Sequence, residues 1–266
     1  MPARYPLCFR RRRARLVDDC DLEGGGPEHV DDQQLGRPRG VCGAQAGVVY
    51  MYGRPAGHPL TEDRAHDAHT TKGRLRGRMA RDLLAAHHAG RVEVAIGRAS
   101  DYFGHRGGAQ SNLGDRVCPA ALAGKTATVL GDPDQPHTYT YIPDIGESLA
   151  VLGEHPDAPG EVWHLPNDPE TRTTRQLVES IYRRAGQPRT KLRTIPPLLL
   201  RAIALVNPTV RELLEMRYQF AEPFIVDSNK ITTRLGITAT PLDRAIADTL
   251  DTYRHSATPN STRQHS

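Results

Sequence analysis

Hydrophobic and polar positions divide this chain into a start without periodicity and a long segment in which strand and helix signals alternate. VVYMYG, Val48 to Gly53, is a run of β-branched and aromatic residues closed by a glycine, and it predicts a buried strand with its exit turn. From Lys72 to His88, Leu75, Met79, Leu83 and Leu84 recur at helical spacing, with Gly90 as a stop signal. VEVAIGR, Val92 to Arg98, is the next strand. Two strands joined by such a helix make a βαβ unit, whose strands should be parallel neighbours.

Beyond the glycine-rich stretch Gly104 to Gly108, the pattern predicts a helix over 113–123 and strands over 127–130 and 137–142. Pro143 opens another helix, with Asp144 as its candidate cap, and a strand over 161–165 follows. Helices over 174–185, 197–206, 210–218 and 242–253, with short strands near 192–195 and 224–226, continue an α/β alternation. Residues 1–47 carry an arginine cluster and an acidic, glycine-rich stretch, so they are expected to have little structure of their own. The packed domain is expected over 48–255, and 256–266 reads as a disordered polar tail.

Charge and composition narrow the function classes. With 35 Lys and Arg against 31 Asp and Glu in 266 residues, the net charge of +4 is too balanced for a dedicated nucleic-acid binder. The basic stretch KGRLRGRMAR interleaves apolar residues at core spacing, as a solvated helix face does. No apolar run approaches the roughly 18 residues that span a bilayer, so no membrane partner and a cytoplasmic location are expected. Cys8, Cys20, Cys42 and Cys118 stand far apart without a CxxC pair, which predicts free thiols and no metal site.

Several segments occur in a familiar order: VYMYG, a lysine opening a helix, IGRASDYFG, LGDPDQPHTYTYIPDIGESL, EVWHLPNDPETRTTRQLVESI, and the stretch from FIVDSNK to DTYR. Together they resemble the later part of an extended short-chain dehydrogenase/reductase, the NAD-dependent epimerase/dehydratase family. The resemblance covers roughly 200 residues, from Val49 to Arg254. It implies an incomplete Rossmann-like parallel sheet with helices on both faces and a small C-terminal α/β substrate lobe. It also implies NAD or NADP as cofactor and a nucleotide sugar or similar polar carbonyl compound as substrate, and it is compatible with a homodimer.

The chemistry that the resemblance implies is only partly present. A dinucleotide needs a glycine turn that brings backbone N–H groups to its pyrophosphate at a helix start. The family's GxxGxxG is missing, and about 100 residues of βα units should precede VYMYG where only 48 stand, as truncation or a shifted reading frame would leave them. Lys72 lies where the family's ribose-holding lysine would be, but the place of the proton-relaying tyrosine, four residues before it, is Ala68. Lys72 is thus a catalytic and cofactor-binding candidate or a solvated helix start. Tyr50 and Tyr52, two apart on the predicted strand, are candidate substitutes for the missing acid or packed core residues.

Ala99, Ser100 and Asp101 fall where the family closes over the nicotinamide, and Tyr102, His137, Tyr139 and Tyr141 where it borders the substrate. The last three alternate along a strand and so should share a side, either lining a substrate surface or packing into the core. Two functions are therefore open. One is an NAD(P)-dependent epimerase, dehydratase or reductase impaired in this chain; the other is a non-catalytic remnant or binding module of that family.

Overall fold

The computed structural model describes residues 42–256 apart from 106, 109–110, 197, 199, 201–204 and 206–213. The unpatterned residues 1–41, the tail 257–266 and most of the helices expected over 197–206 and 210–218 lie outside the described residues.

Strand β1 (Cys42–Val48) pairs in parallel with β2 (Glu93–Ala99), from Cys42 opposite Glu93 to Val48 opposite Ala99. On its other side β2 pairs in parallel with β6 (Val162–His164). The predicted βαβ unit is present, with helix α1 (Thr71–His88) between its strands, but its first strand lies earlier than VVYMYG suggests. CGAQAGV is poor in β-branched residues, and the ladder to β2 overrides that weak local preference. Space favours small residues here, because a Cβ on Gly47 would stand 3.3 Å from both Arg98 Cγ and the Gly97 carbonyl oxygen. The chain from 42 to 47 is thus part of the sheet. The aromatic run instead forms a 3-10 turn, Tyr50–Tyr52, closed by Gly53 at φ 72°. Tyr50 and Tyr52 therefore do not share a strand face.

Alternation along β2 sends Val94 and Ile96 towards Ala80, Leu83 and Leu84 of α1, while Ala95 and Ala99 pack with Leu149 and Leu152 of α3 (Ile142–Glu154) and with Trp163. Helices thus cover both faces of this sheet. Thr70 caps α1, its side chain accepting from the Gly73 N–H at 3.0 Å. The predicted apolar face of α1 is only half right. Leu75 is 47% exposed, and the helix rests on Gly73, Gly77 and Ala80. A Cβ on Gly73 would fall 2.5 Å from the Tyr50 carbonyl oxygen and from Ala68 Cβ, so the helix lies too close to the turn for a larger side chain.

The rest is built on two parallel pairs. Strand β3 (Asp101–Phe103) pairs with β5 (Tyr139–Tyr141), and β4 (Ala127–Val129) with β7 (Leu192–Thr194). With α2 (Cys118–Leu122), α4 (Thr174–Arg184) and α6 (Leu242–Ser256), they enclose a core of Phe103, Val117, Tyr139, Leu177, Ile181 and Ile246. The predicted helix over 113–123 is reduced to α2. The strand expected near 224–226 is present only as single bridges, Leu60 to Val226 and His137 to Phe224. Helix α5 (Asn229–Leu235) ends at Gly236 in the left-handed region, φ 69°. Asp144 does not cap α3: its carboxylate accepts from the Thr240 N–H at 2.8 Å and the Thr240 hydroxyl at 2.6 Å, tying α3 to the segment before α6.

Candidate active site

Because β1 and β2 are parallel and end opposite one another, the residues that follow them arrive at the same carboxyl edge, where ligands bind in open α/β sheets. Tyr50 follows β1 and Asp101 follows β2. The half-buried Tyr50 phenol is pushed up first by burial and then by the charge of Asp101, with Tyr102 and Tyr218 adding and Arg76 opposing. Tyr218 is pushed up by burial and then by the same carboxylate, and so is Tyr102. The Tyr218 hydroxyl is buried and has no hydrogen-bond partner among the described residues. The Asp101 charge thus acts on the phenols of Tyr50, Tyr102 and Tyr218.

His137 holds that carboxylate. Its Nε2 lies 2.7 Å from Asp101 Oδ2 and its Nδ1 lies 3.1 Å from the Gln219 carbonyl oxygen. The imidazole is stacked on Phe220, centroids 4.8 Å apart, and on Phe224 at 5.3 Å. His137, Tyr139 and Tyr141 share a side, as the alternation predicts, yet that side belongs mainly to the core. The Tyr139 hydroxyl bonds Thr174 at 2.9 Å and accepts from Asn112, while the Tyr141 ring lies against Phe103. Of the three, His137 meets Asp101.

Tyr52 belongs to a second, largely buried network on the α1 side of β2. Arg98 Nη1 donates to the Tyr52 hydroxyl at 2.5 Å, and that hydroxyl pairs with His164 Nε2 at 2.8 Å. Arg98 Nη2 lies 3.1 Å from His66 Nε2, and His164 Nδ1 lies 2.7 Å from the Asp227 carbonyl oxygen. Burial pushes the Tyr52 phenol up to about 12, against the pull of Arg98. His66 and His164 escaped the sequence pattern; the available signal was Arg98 itself, a charge on the same alternating face as Val94 and Ile96. Tyr52→Phe takes an acceptor from a buried guanidinium. It should cost about 1–3 kcal/mol or somewhat more in urea unfolding at pH 7.5.

The same network predicts acid sensitivity. A carbonyl oxygen facing Nδ1 makes that nitrogen the donor, so Nε2 accepts from Tyr52 and His164 is neutral. Burial, the dominant cause, holds its pKa below the ordinary 6.5, while Glu62 opposes. The unfolded chain therefore binds the proton first as pH falls. The stability from this group is present above about 6.5 and is lost as pH falls through the folded value, with a slope of at most about 1.4 kcal/mol per pH unit. Urea unfolding between pH 7.5 and 5 should show that decline, and His164→Gln should flatten it.

The remaining candidates are placed differently. Lys72 lies in the first turn of α1, half-buried and one turn before Arg76, where the Thr71 N–H donates to the Glu215 carboxylate. Ala68, in the place of the relay tyrosine, packs beside Gly73. Ala99 is buried against α3. The Ser100 N–H donates to Thr140 Oγ1 at 2.9 Å and its hydroxyl to the Thr138 carbonyl at 2.8 Å. A dinucleotide pyrophosphate requires free backbone donors at a glycine turn between strand and helix. Among the described residues no glycine turn joins a strand directly to a helix, and the polar groups of Ser100 are already satisfied. These residues do not fit the cofactor's phosphates.

No protein-family model matches the sequence, and no curated protein matches it. Solved structures do. A dTDP-glucose 4,6-dehydratase from Bacillus anthracis, in complex with NAD, aligns at a TM-score of 0.64 and 14% identity, over 80% of this chain and 62% of its own. The UDP-glucuronic acid 4-epimerase of Bacillus cereus, with UDP-glucuronic acid and NAD, aligns at 0.62 and 18% identity, over 80% and 61%. The UDP-glucose 4-epimerase of Thermotoga maritima, with UDP-glucose, aligns at 0.65 and 15% identity, over 81% and 64%. The chain spans about three fifths of the length of these structures. Over that portion it shares the fold of the NAD-dependent nucleotide-sugar epimerases and dehydratases.

Proposed function

We propose that this chain is an NAD(P)-dependent epimerase/dehydratase or reductase-like protein whose cleft takes a nucleotide sugar or similar polar carbonyl compound, and that its turnover is impaired. The observation that carries this reading is the convergence of Tyr50, Asp101, His137 and Tyr218 at the carboxyl edge of β1 and β2. A hydroxyl-rich ligand matches that edge, because the partly exposed Asp101 carboxylate accepts hydrogen bonds. The solved structures of the same fold carry UDP-glucuronic acid and UDP-glucose, which supports the substrate class.

Impairment is supported by the residues themselves. Ala68 cannot relay a proton, the Tyr50 and Tyr52 phenols are held protonated, and the described residues lack a pyrophosphate cradle. The same facts favour a second reading, a binding module that keeps the substrate lobe and has left catalysis behind. Both readings require the cleft to bind. Titration calorimetry with UDP-glucose and dTDP-glucose should give a saturable heat for at least one of them, weakened at least tenfold in Asp101→Ala. Absence of binding, or binding that ignores Asp101→Ala, overturns the substrate assignment.

A further inference from the structure

The contacts of His137 dictate where its protons are. The ring is 3% exposed, and both nitrogens face oxygen acceptors: Nδ1 the Gln219 carbonyl at 3.1 Å, Nε2 the Asp101 carboxyl at 2.7 Å. A carbonyl oxygen has no proton to give, so Nδ1 carries one. A neutral imidazole with its proton on Nδ1 presents a lone pair at Nε2, and a lone pair 2.7 Å from an ionised carboxylate is repulsive. The contact closes only if a second proton lies between Nε2 and Oδ2. Turning the ring over would set two C–H groups against the two acceptors and satisfy neither.

We propose that His137 and Asp101 share this extra proton and form the acid–base unit of the cleft, in the role left open by Ala68. Asp101, partly exposed at the cleft, is the group that meets the substrate; His137 is a positioning residue that acts through it. In donation, the bond from the shared proton to the pair breaks and an O–H bond forms on a substrate oxygen that is gaining negative charge. His137 then keeps its Nδ1 proton on Gln219 and its Nε2 lone pair faces the Asp101 carboxylate, a repulsive contact that draws a proton back onto the pair. In the reverse direction the pair collects a proton from a substrate hydroxyl. General acid–base groups of this kind supply about 100- to 10,000-fold in rate.

Phe220 and Phe224 are stacked on the imidazole, and the Tyr139 ring is tilted against it at 4.6 Å between centroids. The charged groups behind His137 are Asp168, Glu170 and Arg172, which line a small cavity with it. The Asp101 charge also acts on the phenols of Tyr50, Tyr102 and Tyr218, none of which is ionised at neutral pH. Those hydroxyls can orient a substrate oxygen without competing for the proton. The catalytic half of this inference rests on the cleft binding a polar substrate, whereas the protonation half does not.

The test uses the full chain with nitrogen-15 labelled histidine and NMR of the imidazole nitrogens at pH 7.5. Both His137 nitrogens should report as protonated, and the Nε2–H signal should be lost in Asp101→Asn, which keeps the shape and should leave the ring neutral. A singly protonated His137 in the unaltered chain, or a signal indifferent to Asp101→Asn, overturns the shared proton. UDP-glucose is then added to the same sample. If calorimetry shows binding, the His137 signals should shift, and unmoved signals overturn the acid–base role. If UDP-glucose and dTDP-glucose both fail to bind while the second proton is present, the substrate assignment and the acid–base role fall and the protonation assignment stands.

Discussion

Trp163→Ala should lower unfolding stability by about 3–5 kcal/mol, the range for removing a fully buried large aromatic side chain. Trp163 stands on β6 with no exposed surface, packed with Ala95 and Ala99 of β2, Leu149 and Leu152 of α3, and Ile231 of α5. Its indole N–H donates to the Ala158 carbonyl oxygen at 3.0 Å, and Lys230 and Arg234 lie over the ring at 4.5 and 4.9 Å. Alanine would open a cavity at the join of sheet and helix and strip a buried carbonyl of its donor. Leu75→Ala is the matched control. Leu75 reads as core from its helical spacing but is 47% exposed, so its loss should change stability by no more than about 0.5 kcal/mol. Urea unfolding of both variants separates the observed core from the predicted one.

The contrast between Trp163 and Leu75 marks what periodicity can and cannot convey. Spacing located α1, β2, β4, β6 and α4 because each carries an apolar pattern of the right period; the structure adds a capping box of Thr173 and Gln176 at α4. Spacing misplaced β1 because that strand is built from small residues chosen by close approach, and their β character comes from pairing with β2. The buried face of α1 failed for the same reason, since glycines carry no hydrophobic signal and yet make the closest contacts. Sequence distance concealed the site. Asp101 reads as a cofactor-side candidate and His137 as a substrate-side one, but their contact joins positions 36 residues apart. Tyr218 stood near the end of a predicted helix with nothing to connect it to Asp101. Tyr52, expected beside Tyr50 on one face, turns into a different network because the segment is a 3-10 turn with a three-residue repeat.

Titration calorimetry with NAD and NADP decides the proposal that this chain binds a polar substrate without an effective hold on the nicotinamide cofactor. Hydride chemistry of this class requires the cofactor, whatever acid is available, so weak binding alone removes turnover. The described residues give the pyrophosphate no glycine turn, Ser100 has its donors engaged, and Lys72 is the ribose-side candidate that stands at the start of α1. Each tenfold loss of affinity corresponds to about 1.4 kcal/mol of missing contacts. Dissociation constants for both nucleotides should be weaker than about 1 mM, a loss of about 4 kcal/mol or more relative to micromolar binding. No saturable epimerase, dehydratase or reductase activity should appear with UDP-glucose or dTDP-glucose. Micromolar binding of either nucleotide that disappears in Lys72→Ala would overturn this reading.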